Sequence, residues 1–183
     1  MKITIISGTN RPGSNTRRIV SVLEKIYKDA GTPVEILDLA ALPAELFSPK
    51  SYAEKPAAFS HFSSAVLASG GLHVVTPEYN GSFPGVLKYF IDMLKFPESF
   101  ESRPVAFTGL AAGMWGALRS VEQLSAIFAY RNAFLHSERV FIPHVNTALS
   151  EAGELLDETL FDRLRQQAKS FAAFASALQQ KSA

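Results

Sequence analysis

Cysteine is absent from this chain of 183 residues, which excludes a disulfide framework, a thiol nucleophile and any cysteine metal site. An excess of charge is absent too: 18 Lys and Arg face 17 Asp and Glu, for a net charge of +1. That balance leaves no electrostatic footprint for nucleic acid, and no acidic surface of the kind that steers an electron carrier to a protein partner. No apolar run reaches membrane-spanning length. The first strand begins at Lys2 and leaves no room for a signal peptide, so a cytoplasmic protein is expected. Repeats, low-complexity tracts and linkers are missing as well. The chain reads as one domain over residues 1–183, with 47% hydrophobic content to build its core. His61, His73, His136 and His144 show no metal spacing, and there is no nucleophile elbow, H-E-x-x-H or pair of catalytic carboxylates. Without acid–base machinery of its own, the protein is expected to supply geometry while a cofactor supplies the chemistry.

What is present is concentrated in three loops. The first lies in Ile5-Ile6-Ser7-Gly8-Thr9-Asn10-Arg11-Pro12-Gly13-Ser14-Asn15-Thr16-Arg17-Arg18. A short apolar run from Ile3 to Ile6 ends in glycine and hydroxyl residues. Apolar residues then recur at helical spacing through Ile19, Val20, Val22, Leu23, Ile26 and Tyr27. A strand, a loop and a helix start gather backbone N–H groups and the positive end of a helix dipole at one point. Ser7, Thr9, Ser14, Asn15 and Thr16 add side-chain donors, and Arg11 a bidentate charged one. Gly8 and Gly13 have the spacing of a nucleotide triphosphate loop, but Ser14-Asn15 stands where Lys-Ser/Thr should follow. No G-x-G-x-x-G dinucleotide fingerprint occurs either. The loop suits a terminal monophosphate, with Ser14 also a candidate helix N-cap.

Further strands are expected at Val34–Leu37, Leu72–Thr76, Val105–Thr108 and Val140–Ile142, and helices at Ala57–Ser69, Pro84–Leu94, Ala117–Tyr130 and Leu156–Leu178. A short helical turn is expected around Ala41–Phe47. The alternation βαβαβαβαβα predicts a doubly wound α/β domain with a mostly parallel sheet. With strand order 2-1-3-4-5, the topological switch lies between the first and third strands. Loops 8–16, 77–82 and 109–116 then converge on one ligand.

In the second loop, Tyr79 can lie against a flat ring while Asn80 and backbone N–H groups meet its polar edge. Asn80-Gly81 is equally a turn signal. Glu78 is expected to face solvent or a nearby N–H. In the third loop, Gly109, Gly113 and Gly116 permit close backbone approach to a planar ligand. Trp115 reads as a lid, a dimer contact or a core residue, with a rim or interface place favoured over the core. Arg119, in the first turn of the next helix, is a candidate for an anionic ligand, a neighbouring chain or simple solvation. His73 reads as a satisfied core residue, and Lys88 with Asp92 as a surface pair.

Two of these stretches resemble the NADPH-dependent FMN reductase family, whose members include chromate/quinone reductases and some azoreductases. The family's G-S-x-R-x-x-S-like phosphate loop is matched by Gly8-Thr9-Asn10-Arg11-Pro12-Gly13-Ser14, with Thr9 in place of the usual serine. Its P-E-Y-N-x-S/G-x-P-G-x-L-K-x-x-x-D stretch is matched by Pro77-Glu78-Tyr79-Asn80-Gly81-Ser82-Phe83-Pro84-Gly85-Val86-Leu87-Lys88, then Asp92. The resemblance covers Met1 to about Arg119 and implies a flavodoxin-like three-layer sandwich with a five-stranded parallel sheet in the order 2-1-3-4-5. It implies FMN as cofactor and NADPH or NADH as co-substrate, with a small-molecule electron acceptor such as a quinone, azo compound or metal oxyanion. Carried over, it places Thr9, Arg11, Ser14, Asn15 and Thr16 around the FMN phosphate, and Pro77, Glu78, Tyr79 and Asn80 along the isoalloxazine and ribityl. Backbone from Ala112 through Gly113 to Gly116 closes the ring's other edge. It also implies a homodimer or homotetramer, with Met93 and the aromatic surplus of Phe83, Tyr89, Phe90, Phe96, Phe100, Trp115, Phe128 and Tyr130 divided between core and interface. The alternative is a flavodoxin-like FMN electron carrier reduced by a protein partner, which NAD(P)H would fail to reduce.

Overall fold

In the computed structural model, residues 1–181 are described; Ser182 and Ala183, the last two positions of the domain expected over 1–183, lie outside the described residues. Five β-rich runs become strands: β1 (Ile3–Ser7), β2 (Val34–Asp38), β3 (Gly71–Pro77), β4 (Pro104–Leu110) and β5 (Phe134–Ile142). They pair in parallel in the order β2-β1-β3-β4-β5, as expected. The helices are α1 (Asn15–Asp29), α2 (Ser60–Leu67), α3 (Gly85–Met93), α4 (Leu118–Tyr130), α5 (Val145–Ala148) and α6 (Glu158–Lys181).

The pleat sorts side chains to two faces. Ile3, Ile5, Val75 and Ala106 pack with Ile19, Leu23 and Tyr27 of α1 and Leu164 and Phe171 of α6. Ile6, Leu72, Val74 and Phe107 pack with Phe62, Leu87, Phe90, Leu124 and Phe128 from α2, α3 and α4. A sheet covered on both faces explains why its central strands are buried at every position rather than alternating.

Several boundaries differ from expectation. β5 starts six residues earlier than Val140, because an edge strand keeps one side exposed and tolerates Ser137, Glu138 and Arg139. Pro77 and Gly109-Leu110 belong to strands rather than loops. Residues 57–59 form a 3₁₀ turn ahead of α2, and 39–52 hold three such turns instead of one. Pro84 caps α3 from outside, its carbonyl accepting from Leu87 N. α5 has no counterpart among the expected elements. Of the aromatic surplus, Phe90, Phe100 and Phe128 are core, as is Met93, whereas Phe96, Trp115 and Tyr130 are exposed.

One buried polar chain crosses this core. Gln167 Nε2 donates to the carbonyls of Phe107 (2.8 Å) and Glu138 (3.0 Å), so its Oε1 must accept from Thr108 Oγ1, at 2.8 Å. With its hydrogen spent, the Thr108 oxygen accepts from His73 Nε2 at 2.8 Å. His73 Nδ1 is then the bare nitrogen and accepts from the Tyr27 hydroxyl at 2.8 Å. His73 is therefore the satisfied core residue its strand position suggested. Burial, reinforced by repulsion from His136, lowers its pKa from 6.5 to about 3. Burial likewise pushes the Tyr27 phenol upward.

Candidate functional site

The carboxyl ends of β1, β3 and β4 open into a cavity of about 370 Å³, lined by residues 11–16, 77–79, 110–112, 145 and 146. The switch point between β1 and β3 is thus where space remains, because the chain leaves the sheet in opposite directions on either side of it.

The loop after β1 is held tightly. Gly8 N donates to Val75 O at 2.8 Å, and a Cβ at Gly8 would lie 2.7 Å from that same oxygen. Only glycine lets the loop run this close to β3. Thr9 is fully buried and does not line the cavity; its Oγ1 accepts from Arg11 N (3.3 Å) and pairs with the Tyr79 hydroxyl (3.1 Å). Ser14 is the N-cap of α1, its Oγ accepting from Arg17 N at 3.2 Å, which leaves its own hydrogen free to donate. The first turn of α1 contains no acid. Of the arginines there, Arg17 faces Asp38 at 3.6 Å. Arg18 donates to Asn15 Oδ1 (3.1 Å), Glu151 O (3.1 Å) and Ser150 O. Arg11 lines the cavity and makes no ion pair among the described residues. A bare guanidinium and the first N–H groups of α1 that Ser14 does not cap make this end of the cavity a receptor for an anion.

The loop after β3 is gripped from behind by one face of α4. Ser120 Oγ donates to Pro77 O at 3.0 Å and pairs with Thr76 Oγ1 at 3.0 Å. Gln123 Nε2 donates to Gly81 O at 3.2 Å, while its Oε1 accepts from Ser82 Oγ at 2.6 Å. Arg119 reaches Glu78 Oε1 at 3.4 Å, so its partner is a carboxylate of its own chain. Glu78, Pro77 and Tyr79 line the cavity. Asn80 does not: it is exposed and shares positive φ with Gly81 in a turn closed by Tyr79 and Ser82, the conformation a two-residue hairpin turn demands.

In the loop after β4, Ala112 lines the cavity, with open space at Gly113. Gly116 faces elsewhere: at φ +56°, a Cβ there would lie 2.8 Å from Ile142 N. The missing Cβ permits close packing onto β5. Met114 and Trp115 are 66% and 54% exposed, which places Trp115 outside the core. The sequence reading missed Val145 and Asn146. A one-turn helix carries no periodicity, and its only signal was its place after a strand's carboxyl end. Backbone bonds from Ala111 N to Ile142 O (3.1 Å) and from Val145 N to Ala111 O (3.0 Å) bring it to the cavity.

Tyr79 is also a wall of a second hollow, about 340 Å³, lined by Asn10, Phe47, Pro84, Gly85, Val86 and Tyr89. Phe47 stacks on Tyr89 with centroids 5.1 Å apart, and the Tyr89 hydroxyl donates to Leu46 O at 2.7 Å. Among the described residues no helix is long and apolar enough to cross a membrane, and no cluster of His, Asp and Glu could hold a metal ion.

The sequence model of NADPH-dependent FMN reductases matches residues 1–147. An NAD(P)H-dependent FMN reductase of Pseudomonas aeruginosa is 30% identical over 172 residues, 91% of each chain. A 2-hydroxy-1,4-benzoquinone reductase of a Burkholderia species is 26% identical, covering 86% of this chain and 87% of its own. Among solved structures, the flavoenzyme NAD(P)H:(acceptor) oxidoreductase of Paracoccus denitrificans superposes with a TM-score of 0.80 at 21% identity, over 96% of this chain and 97% of that one. At that identity the superposition speaks for the fold.

Proposed function

The chain belongs to the NADPH-dependent FMN reductase family, and from that premise we propose that it passes electrons from NAD(P)H, through FMN held at the carboxyl edge of the sheet, to a quinone or another small acceptor. The observation that carries this reading is the meeting of the unpaired Arg11 and the acid-free start of α1 with the Pro77–Tyr79 and Leu110–Ala112 backbones around one cavity. That donor set fits a phosphomonoester at one end and a planar heterocycle at the other. FMN supplies two-electron chemistry, taking hydride from a nicotinamide and releasing electrons to an acceptor.

The chain's part is position and charge. Arg11, Ser14, Asn15 and Thr16 surround the phosphate, and Thr9 holds Tyr79 from behind. Pro77, Glu78 and Tyr79 line the ring and ribityl, with Asn80 setting the turn beyond them. The N–H groups of Ala112 and Gly113 make no backbone hydrogen bond among the described residues. They are donors for the ring's polar edge, where negative charge grows on reduction. Gly116 supports that loop from its far side. The hollow beyond Tyr79, with Phe47 and Tyr89, suits a flat aromatic acceptor; quinones fit it best, and azo compounds or metal oxyanions are further candidates. We place the chain in the cytoplasm as one domain over residues 1–183. We also infer a homodimer or homotetramer, supported by Met114 and Trp115, large exposed side chains next to the cavity lining.

FMN-loaded protein titrated anaerobically with NADPH, then NADH, tests the reading. Near-stoichiometric loss of the oxidised flavin band is expected. A bound flavin that stays oxidised with both donors would replace the enzyme by an electron carrier. Arg11→Ala is expected to weaken FMN binding by about 10–100-fold, the range for a charge-assisted hydrogen bond. Unchanged affinity by fluorescence titration would take Arg11 away from the phosphate.

A further inference from the structure

We propose that Asn146 of α5 is a phosphate-binding residue, donating its side-chain N–H to the cofactor's phosphomonoester; this rests on the reading of the cavity as an FMN site. A chain of directional bonds sets its orientation. Arg18 Nη1 can only donate, so the Asn15 atom 3.1 Å from it is Oδ1. Asn15 Nδ2 therefore points the other way and donates to Asn146 at 3.0 Å. An N–H must meet an acceptor, so Asn146 offers Oδ1 to Asn15. Its own Nδ2, with two hydrogens, is left without a protein partner among the described residues.

That free amide stands on the lining of the cavity that also holds Arg11, Asn15 and Thr16. The only carboxylate on the lining, Glu78, meets Arg119 through Oε1, while its Oε2 is buried without a hydrogen-bond partner among the described residues. An exposed, uncommitted N–H on the lining that also carries a guanidinium and a helix start is open to an anionic oxygen. The placement does not wait for a ligand. α5 is fixed to the loop after β4 by Val145 N to Ala111 O (3.0 Å) and His144 N to Gly113 O (3.3 Å). The following segment is fixed to α1 by Arg18, which donates to Ser150 O and Glu151 O. Arg18 is thus a positioning residue: its charge is spent on carbonyls and on turning Asn15, and it does not itself line the cavity.

The test compares FMN with riboflavin, which has the same ring and ribityl but no phosphate. Asn146→Asp keeps the shape and the acceptor for Asn15 while replacing the donor by a negative charge. Asn146→Ala removes the donor and the acceptor for Asn15 together, without adding charge. Dissociation constants are read by flavin fluorescence quenching, with circular dichroism to verify folding. FMN affinity is expected to fall at least tenfold in Asn146→Ala and further in Asn146→Asp, by the usual scale of hydrogen bonds to charged groups. Riboflavin affinity should change by less than about threefold, since its binding involves no phosphate. Wild-type protein that binds neither flavin removes the FMN reading itself. Wild type that prefers FMN while both variants keep that preference overturns the assignment of Asn146 alone. Equal losses for FMN and riboflavin, or misfolding of both variants, would make Asn146 a support for the fold and overturn it too.

Discussion

Between pH 7.5 and pH 5 the wild-type protein is expected to lose about 2 kcal/mol of folding stability through a single side chain, His73. In the folded state this ring is fully buried, with its pKa near 3; in the unfolded chain it returns to about 6.5. The unfolded state therefore takes up a proton first as pH falls. Stability from this site is complete above about pH 6.5 and drains toward pH 3, by about 1.4 kcal/mol per pH unit. The geometry explains why the folded protein refuses the proton. His73 Nδ1 is the acceptor for Tyr27, and protonating it would leave two hydrogens facing each other unless the phenol turned away from its partner. Urea unfolding of wild type and His73→Leu across this range tests the point. The variant should be weaker at pH 7.5, with Tyr27 and Thr108 left short of partners, yet the gap should narrow by about 2 kcal/mol at pH 5. Parallel curves would assign the acid sensitivity elsewhere.

Gly8→Ala is expected to damage stability and cofactor binding together. The new methyl would sit 2.7 Å from Val75 O and 3.0 Å from Leu87 Cδ2. Neither neighbour can retreat easily: the first is backbone of a central strand and the second is a fully buried side chain. The loop must lift instead, losing the Gly8 N to Val75 O bond. Overpacking of this kind costs about 1–3 kcal/mol. Because the lifted loop carries Arg11 and the start of α1, FMN affinity should fall by about tenfold or more, the scale of one lost charge-assisted contact. Denaturant midpoints and FMN titration measure the two effects. A variant with wild-type values for both would mean that the loop is not seated on β3.

The five strands and the three converging loops were legible because their signals are local and redundant, whereas the order of the sheet came with the family resemblance. β-branched runs such as Val74-Val75 and glycine–hydroxyl loops each declare one element, and the handedness of parallel crossovers leaves few ways to join them. Side-chain direction was not legible. Thr9, Asn80 and Gly116 belong to the three converging loops, yet Thr9 turns inward to Tyr79, Asn80 spends its conformation on a hairpin turn and Gly116 packs on β5. Arg119 left several partners open, and only the packing of α4 behind the second loop selects Glu78. Asn146 was invisible because its role comes from tertiary bonds to Asn15 and to the loop after β4, more than 30 residues away along the chain.

The bond between Thr9 and Tyr79 joins two loops that belong to different crossover units, one on each side of the switch point. Local opening of either loop must break the same hydroxyl pair. The Gly8–Val75 backbone bond lies just beneath it and adds to the cost of separating them. The two segments therefore form one cooperative unit for fluctuation, although 70 positions separate the paired residues. A ligand gripped by both loops would raise their protection together, and its departure would loosen both at once.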